Sequence, residues 1–539
     1  LSPIIYLLES STTGNHIMSK QFTGKDLIKM AATALFLFGS VISMAAERAP
    51  QYCLELTSLE LPDATVSMAE IVAAGEFLPP SAITDTSPAA QRRNRIYQDL
   101  PAFCRVAVNL QPSSDSDINM EIWLPTDGWN GKFLAVGNGA FTGSIRYSAL
   151  ANPLGRGYTS SSTDTGHLGN TARFGLDHPE KVVDFGWRAV HEMTVASKTI
   201  VAAYYEQGPR YSYWSGCSAG GRQAMQEAQR FPEDYDGIIA GAPGLDWTGR
   251  AAAALRVAKI LEADASARLS ATDRELVHRA VLTSCDAADG VKDGLIGKPQ
   301  QCGFDPRILQ CSGEKSSSCL TAAQVNTVHM LYSSPLNPAT GRAITGLLPG
   351  SELGWTDLGW TRSARDTGME QYKYLVYGDP DWTLDRFNFE VDIAKAEAMD
   401  ANTLNALDAD LGPYFEAGGK LIQYHGWSDP QISPANATAY YRRVAEFLGG
   451  RDAINDSYRL FMAPGMGHCA GGPGPNSFDM ISALEAWVER GEAPDSIIAV
   501  HRTDGEVDRS RPLCPFPEEA VYTGAGSTDE AENFVCRLP

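Results

Sequence analysis

Residues 211–231 read YSYWSGCSAGGRQAMQEAQRF, and this stretch decides the fold. Residues 211–215 carry a strand pattern, Gly216-Cys217-Ser218-Ala219-Gly220 matches G-x-S-x-G, and residues 221–231 read as a helix. Strand, sharp turn and helix in that order are what a nucleophile elbow needs, because small residues let the backbone turn tightly and lift the Ser218 hydroxyl above a sheet. Residues 235–243 follow as a buried strand ending in turn residues. Upstream, residues 105–110, 120–124 and 132–136 read as strands and 183–205 as a helix. The alternation predicts an α/β domain with a largely parallel sheet.

A second stretch mirrors the first. Cys217-Ser218 is matched by His468-Cys469 in the Gly-rich loop Pro464-Gly465-Met466-Gly467-His468-Cys469. A nucleophilic serine must lie within hydrogen-bond reach of the imidazole that takes its proton. If Ser218 meets His468, the two flanking cysteines come together as well, and a disulfide between them would tie the catalytic loops. Asp429, in Gly426-Trp427-Ser428-Asp429-Pro430, follows a strand candidate at 420–425, and His468 follows another at 458–462. Ser, Asp and His, each at a strand end and in that chain order, are arranged as in α/β-hydrolases. The oxyanion hole of such a site needs backbone N–H donors. Ala219, next to the nucleophile, and Gly139, in Gly137-Asn138-Gly139, are the expected ones.

The chain has 539 residues, 43% hydrophobic and 20% charged, which is a soluble globular composition with room for an insertion. Its net charge of −21 argues against nucleic-acid or anionic-membrane partners. Met18, Lys20, Lys25 and Lys29 precede an apolar run at 30–38 and small residues at Ser43, Ala45 and Ala46. That is the pattern of an export signal, so residues 1–46 are read as upstream sequence and signal peptide, and no membrane association is expected after its removal. Ten cysteines in an exported chain imply a disulfide framework. Close spacing suggests Cys285 with Cys302, Cys311 with Cys319, and Cys514 with Cys536. The catalytic argument selects Cys217 with Cys469 and leaves Cys53 with Cys104, although spacing alone does not fix connectivity.

Residues 245–407 lose the strand alternation and turn Ala-rich, helical and loop-rich. They read as a lid inserted into a hydrolase core of residues 47–244 and 408–539. Inside the insertion lie Asp286, Asp289 and Asp293, with glycines between them. Three carboxylates in eight residues suit a hard cation with oxygen ligands, and the carbonyls of Val291 and Leu295 would complete its shell.

These residues resemble the tannase/feruloyl esterase family of α/β-hydrolases, which includes mono(2-hydroxyethyl) terephthalate hydrolases. The resemblance rests on Cys217-Ser218, Asp429 and His468-Cys469, on the 216–249 stretch, and on Asp164-Thr165-Gly166-His167. It covers nearly the whole mature chain and supports the five cysteine pairs. It implies a structural Ca2+ in the lid on Asp286, Asp289, Val291, Asp293 and Leu295, and a small ester of an aromatic acid such as gallate or ferulate as substrate. It also implies lid residues that recognise substrate. Lys373 falls where the terephthalate enzymes carry an arginine, which argues against terephthalate half-esters, since lysine lacks the bidentate fork. His425 is a candidate for the acyl pocket or, equally, a buried structural histidine. Trp355, Trp360 and Trp382 are candidates for ring stacking, with lid core as the alternative. A peptidase on the same fold and a non-catalytic calcium-stabilised binding protein are the competing readings. Localisation is read as secreted or periplasmic, and oligomeric state is not legible.

Overall fold

The computed structural model describes residues 51–538, apart from 82–84, 86 and 357–361. The export segment and Trp360 lie outside the described residues. The chain runs through strands β1 (Ala64–Val72), β2 (Phe103–Leu110), β3 (Ile118–Pro125), β4 (Lys132–Val136), β5 (Thr142–Gly143), β6 (Thr159–Thr163), β7 (Gly169–Asn170), β8 (Tyr211–Cys217), β9 (Gly237–Gly241), β10 (Lys420–Gly426) and β11 (Tyr458–Ala463). Nine of these form one sheet in the order β1-β2-β3-β6-β4-β8-β9-β10-β11, while β5 and β7 pair with each other. From β6 to β11 every pairing is parallel. The β1, β2, β3 and β6 pairings are antiparallel. The expected parallel sheet therefore forms the catalytic half, and an antiparallel meander extends its other edge.

The parallel strands are short and buried on both faces: all five residues of β9 and all six of β11 are buried. Such strands need helices on both sides. Ala189–Tyr205 and Ala219–Arg230 supply two of them. Strand β6 has no apolar residue at all, yet Thr159-Ser160-Ser161-Ser162-Thr163 is wholly buried. Three of its hydroxyls have backbone partners: Ser160 donates to the Leu150 carbonyl at 3.1 Å, Thr163 donates to that of Asn119 at 3.0 Å, and Ser162 accepts from Arg146 N at 3.0 Å.

Between β9 and β10 the chain adds no strand to the sheet. Instead it builds helices Trp247–Ala263, Ala271–Cys285, Ala322–Tyr332, Arg362–Glu370 and Phe389–Asp400. They enclose a separate apolar core that includes Leu255, Leu261, Val281, Leu331 and Ile393. Trp355 and Trp382 belong to that core, with 0% and 1% exposure. Of the two readings for them, lid core is the one that holds: Trp355 donates to Ser351 Oγ at 3.1 Å, and Trp382 stacks on Tyr372 and Tyr377. The insertion belongs to the same compact unit as the sheet, which runs from Tyr52.

All ten cysteines pair as the sequence reading proposed: Cys53–Cys104, Cys217–Cys469, Cys285–Cys302, Cys311–Cys319 and Cys514–Cys536.

One buried charge cluster went unread in the sequence. Glu227, on the Ala219–Arg230 helix, has no exposed surface, and neither carboxylate oxygen accepts a hydrogen bond from the described residues. Its neighbour Asp234 receives the His191 Nδ1 proton at 2.7 Å, and the three side chains bring ligand atoms within 4.8 Å of one another. Burial, reinforced by the Asp234 carboxylate, pushes the Glu227 carboxyl well above the usual range. A protonated Glu227 can donate to Asp234, which relieves the repulsion between the two carboxylates without an ion. Because the folded-state pKa is raised, this contribution is complete at low pH and is lost as pH rises through that value. Glu227→Gln is therefore expected to match the wild type near pH 5 and to exceed it in Tm near pH 9, by roughly 1 °C per kcal/mol recovered in a chain of this length. Thermal melts across that range check it, and a constant difference between the two proteins would contradict it.

Candidate active site

The end of β8 places Ser218 in a backbone conformation that L-residues seldom adopt, with φ 64° and ψ −118°. The turn is held from below, since Ser218 N donates to the Gly241 carbonyl at 2.9 Å. It is tight enough to require glycine: a Cβ on Gly221 would lie 2.3 Å from the Gly241 oxygen. Gly216 is likewise confined, by Gly220 within the turn itself, 2.5 Å from where its Cβ would lie.

Strand β10 ends at Gly426, and Asp429 sits in the turn beyond it with no exposed surface. Backbone amides of Gln431 and Ile432 donate to its Oδ1 at 2.7 and 3.0 Å. Strand β11 leads into the loop carrying His468. There His468 Nδ1 lies 2.7 Å from Asp429 Oδ2, and Nε2 lies 2.9 Å from Ser218 Oγ. Burial alone would raise the Asp429 carboxyl, but the charge of His468 and hydrogen bonds from His425 and His468 outweigh it and hold the group well below the usual range. An ionised Asp429 makes Nδ1 the donor, which leaves Nε2 to accept the serine proton. The Cys217–Cys469 disulfide, with Cα atoms 6.0 Å apart, links the residue before the serine to the residue after the histidine.

Above the elbow, residues 137–140 are clamped to it. Gly220 N donates to the Asn138 carbonyl at 2.8 Å, and Asn138 N donates to Gln223 Oε1 at 3.0 Å. The Asn138 side chain in turn donates to the Thr163 and Ser144 carbonyls. A Cβ on Gly137 would fall 2.5 Å from Gly220 Cα, so the two loops touch through backbone. Among the described residues neither Ala219 N nor Gly139 N donates to a backbone acceptor outside helices and strands. Ala219 opens a helix, where the first amides have no intrahelical partner and the dipole favours negative charge. Asn138 and Gln223 were not legible as a clamp, because their pairing depends on loops far apart in sequence.

An aromatic cluster lies beside Ala219: Phe141, Phe185 and Trp247 pack on it, with Phe174, Tyr374 and Leu375 at its margin. The Asp164–His167 motif supports this cluster from behind. His167 Nε2 donates to the Phe141 carbonyl at 2.8 Å, and its ring stacks on Phe174 at 4.1 Å. Asp164 caps the turn by accepting from Asn119 and Gly166, and burial pushes its carboxyl up to about 6.

Lys373 sits half-buried on the one-turn segment Gln371–Val376, whose Tyr374 and Leu375 reach the aromatic cluster. The same helix end is anchored by Glu370, which accepts from Ala172 N at 3.0 Å and from the Thr171 hydroxyl. The expectation that His425 lines the acyl pocket is corrected. Its ring has no exposed surface and lies behind Asp429, with Nε2 3.0 Å from Asp429 Oδ2 and 3.1 Å from the Ile432 carbonyl.

In the insertion, Asp286 accepts from the amides of Asp293 and Gly294, Asp289 from Val291, and Asp293 from Leu295. Burial, followed by the Asp293 carboxylate, pushes Asp289 up to about 6. Arg511 holds Asp293 Oδ2 at 2.7 Å and so docks the C-terminal region onto this loop. The donors are all oxygens, and Gly290 and Gly294 take positive φ in this loop, but unlike His191, Glu227 and Asp234 the three carboxylates do not bring ligand atoms within 4.8 Å of one another. Oxygen donors are the class that a hard divalent cation takes.

A family model described as tannase and feruloyl esterase matches residues 104–537. An esterase described as uncharacterized, from Xanthomonas campestris pv. campestris, is 35% identical, covering 94% of this chain and 95% of its own length. A probable feruloyl esterase B-1 of Aspergillus fumigatus is 34% identical, covering 80% of this chain and 85% of its own. Among solved structures, feruloyl esterase B from Aspergillus oryzae superposes with a TM-score of 0.83 at 31% identity, over 91% of this chain and all of that one. Tannin acyl hydrolase from Aspergillus niger, at 22% identity, shares the fold with a TM-score of 0.73, over 92% of this chain and 95% of that one.

Proposed function

Because this chain belongs to the tannase and feruloyl esterase family and is a carboxylic ester hydrolase, we propose that it is a secreted serine esterase acting on esters of phenolic carboxylic acids. The observation that carries the serine mechanism is the unbroken chain from Ser218 through His468 to Asp429, at 2.9 and 2.7 Å. Ser218 Oγ attacks the ester carbonyl carbon while His468 Nε2 takes its proton, and Asp429 fixes the ring and balances its charge. The Ala219 and Gly139 amides receive the oxyanion. His468 then protonates the departing alcohol, leaving an acyl-enzyme. Water attacks in turn, giving its proton to His468, and the acid leaves as the proton returns to Ser218.

Two observations favour an aromatic acyl group: the aromatic cluster beside Ala219 and the naming of relatives as feruloyl esterases. Residues 245–407 act in this reading as the lid, with Tyr374 and Leu375 closing the cluster from above. Export is supported by the five disulfides, which persist in oxidising compartments. No helix among the described residues is long and apolar enough to cross a membrane.

The experiment is hydrolysis of methyl ferulate, methyl gallate, chlorogenate and mono(2-hydroxyethyl) terephthalate. A phenolic ester is expected to exceed the terephthalate half-ester in kcat/KM by about tenfold or more, since the single ammonium of Lys373 lacks the guanidinium fork. The reverse order would assign the protein to half-esters, and no cleavage at all would end the aromatic-ester reading.

Asp286, Asp289 and Asp293, with the Val291 and Leu295 carbonyls, would hold Ca2+ as a structural ion in the insertion. Chelation with EDTA is expected to lower Tm by several degrees, and Ca2+ to restore it better than Mg2+, which tolerates such a flexible oxygen cage poorly. A Tm indifferent to both would remove calcium from the account.

A further inference from the structure

We infer that His425 is a positioning residue of the triad, holding Asp429 in line for His468 by donating its Nε2 proton to the oxygen that His468 also binds. The inference deepens the serine-esterase reading and rests on it. His425 Nε2 faces two acceptors, Asp429 Oδ2 at 3.0 Å and the Ile432 carbonyl at 3.1 Å. A ring nitrogen between two acceptors must carry the proton. Nδ1, buried and without a hydrogen-bond partner among the described residues, is then the ring's lone pair.

The consequence lies in how the carboxylate is filled. Oδ1 accepts from the Gln431 and Ile432 amides, and Oδ2 accepts from His468 Nδ1 and His425 Nε2. Four donors occupy the four lone-pair directions of one carboxylate. Without His425, Oδ2 would keep a single partner, the imidazole it is meant to orient, and the carboxylate would be held through Oδ1 alone when that imidazole moves toward substrate. His425 itself is placed by backbone: it lies in β10, paired in register with Met462 of β11. Both His425 and Asp429 side chains have 0% exposure, so His425 acts only through the carboxylate and never touches substrate.

The test compares His425→Leu, which fills space without a donor, with His425→Gln, whose side-chain amide reaches a similar point with one. Ser218 labelling by a fluorophosphonate is the first readout, because it reports serine reactivity whatever the true ester is. The leucine variant is expected to label at least about tenfold more slowly and the glutamine variant within about threefold of wild type. On the preferred ester, kcat should follow the same order with KM within about twofold. The low-field proton resonance of His468 Nδ1–H should shift in the leucine variant and return in the glutamine variant. Should leucine prevent folding, His425→Met takes its place. Equal labelling rates in the donor and non-donor variants would overturn the inference, as would a change confined to KM. A wild-type protein that does not label overturns the serine reading itself, so the two failures are distinct.

Discussion

Ser218→Ala is expected to reduce kcat on every ester the protein cleaves by about 10⁴-fold to 10⁶-fold, with KM nearly unchanged, as removal of a triad nucleophile does elsewhere. The size follows from the site's construction. Ser218 Oγ is bonded to His468 Nε2, and the imidazole is useful only because Asp429 holds its other nitrogen. Removing the base disables the unit, so His468→Ala should cost a comparable amount and Asp429→Asn about ten- to a hundredfold less, while the Ser218/His468 double variant should cost little more than either single. Alanine at 218 keeps the same Cβ in the same positive-φ turn, so its backbone strain equals that of serine and the melt should stay within about 1 °C. Folding and chemistry are thereby separated in one variant. Residual activity above a few per cent, in a preparation free of wild type, would show that another group attacks the ester.

What made this site readable is that its three residues lie where the backbone must turn sharply, and sharp turns leave a compositional mark. Gly220 and Gly221 follow Ser218 because the 137–140 loop and β9 pass within contact distance of them, and Gly216 is small because the turn folds Gly220 back onto it. Gly465 takes positive φ in the loop that presents His468. The cysteines added a long-range constraint that periodicity never supplies, since a pair flanking nucleophile and base makes sense only if the two loops meet. Features without such marks stayed hidden. Strand β6 is built wholly of serine and threonine and shows no alternation, so a buried strand reads as a polar linker. Trp355 and Trp382 carry the same side chain whether they face a ligand or a core, and only packing distinguishes the two. His425 illustrates the same limit one step from the chemistry. Its position at the end of β10 was legible, but the face its ring takes follows from pairing with β11 and from the turn at Asp429.

The second large effect concerns that long-range constraint. Replacing both Cys217 and Cys469 by serine is expected to lower kcat by about 10- to 100-fold while KM changes by less than about threefold. It is also expected to reduce stability by about 5 kcal/mol, the chain-entropy value for residues 252 apart. The two effects have separate origins. Stability falls because the unfolded chain regains the freedom that a long closed loop denied it. The kcat loss has a native-state cause: the disulfide joins Cys217, next to the serine, to Cys469, next to the histidine. Only one hydrogen bond, Ser218 Oγ to His468 Nε2, then defines their separation. A misplacement of about 1 Å in a catalytic pair costs on the order of 100-fold, which bounds the expected range. Substrate contacts on the aromatic cluster and the lid are untouched, hence the stable KM. The assay belongs well below the variant's own melting temperature, so that both proteins are folded when compared. If kcat there equals the wild-type value, the hydrogen-bonded triad positions itself and the disulfide serves stability alone. If kcat falls while the circular dichroism of the folded variant matches wild type, the covalent link is part of how the nucleophile and its base are held in register.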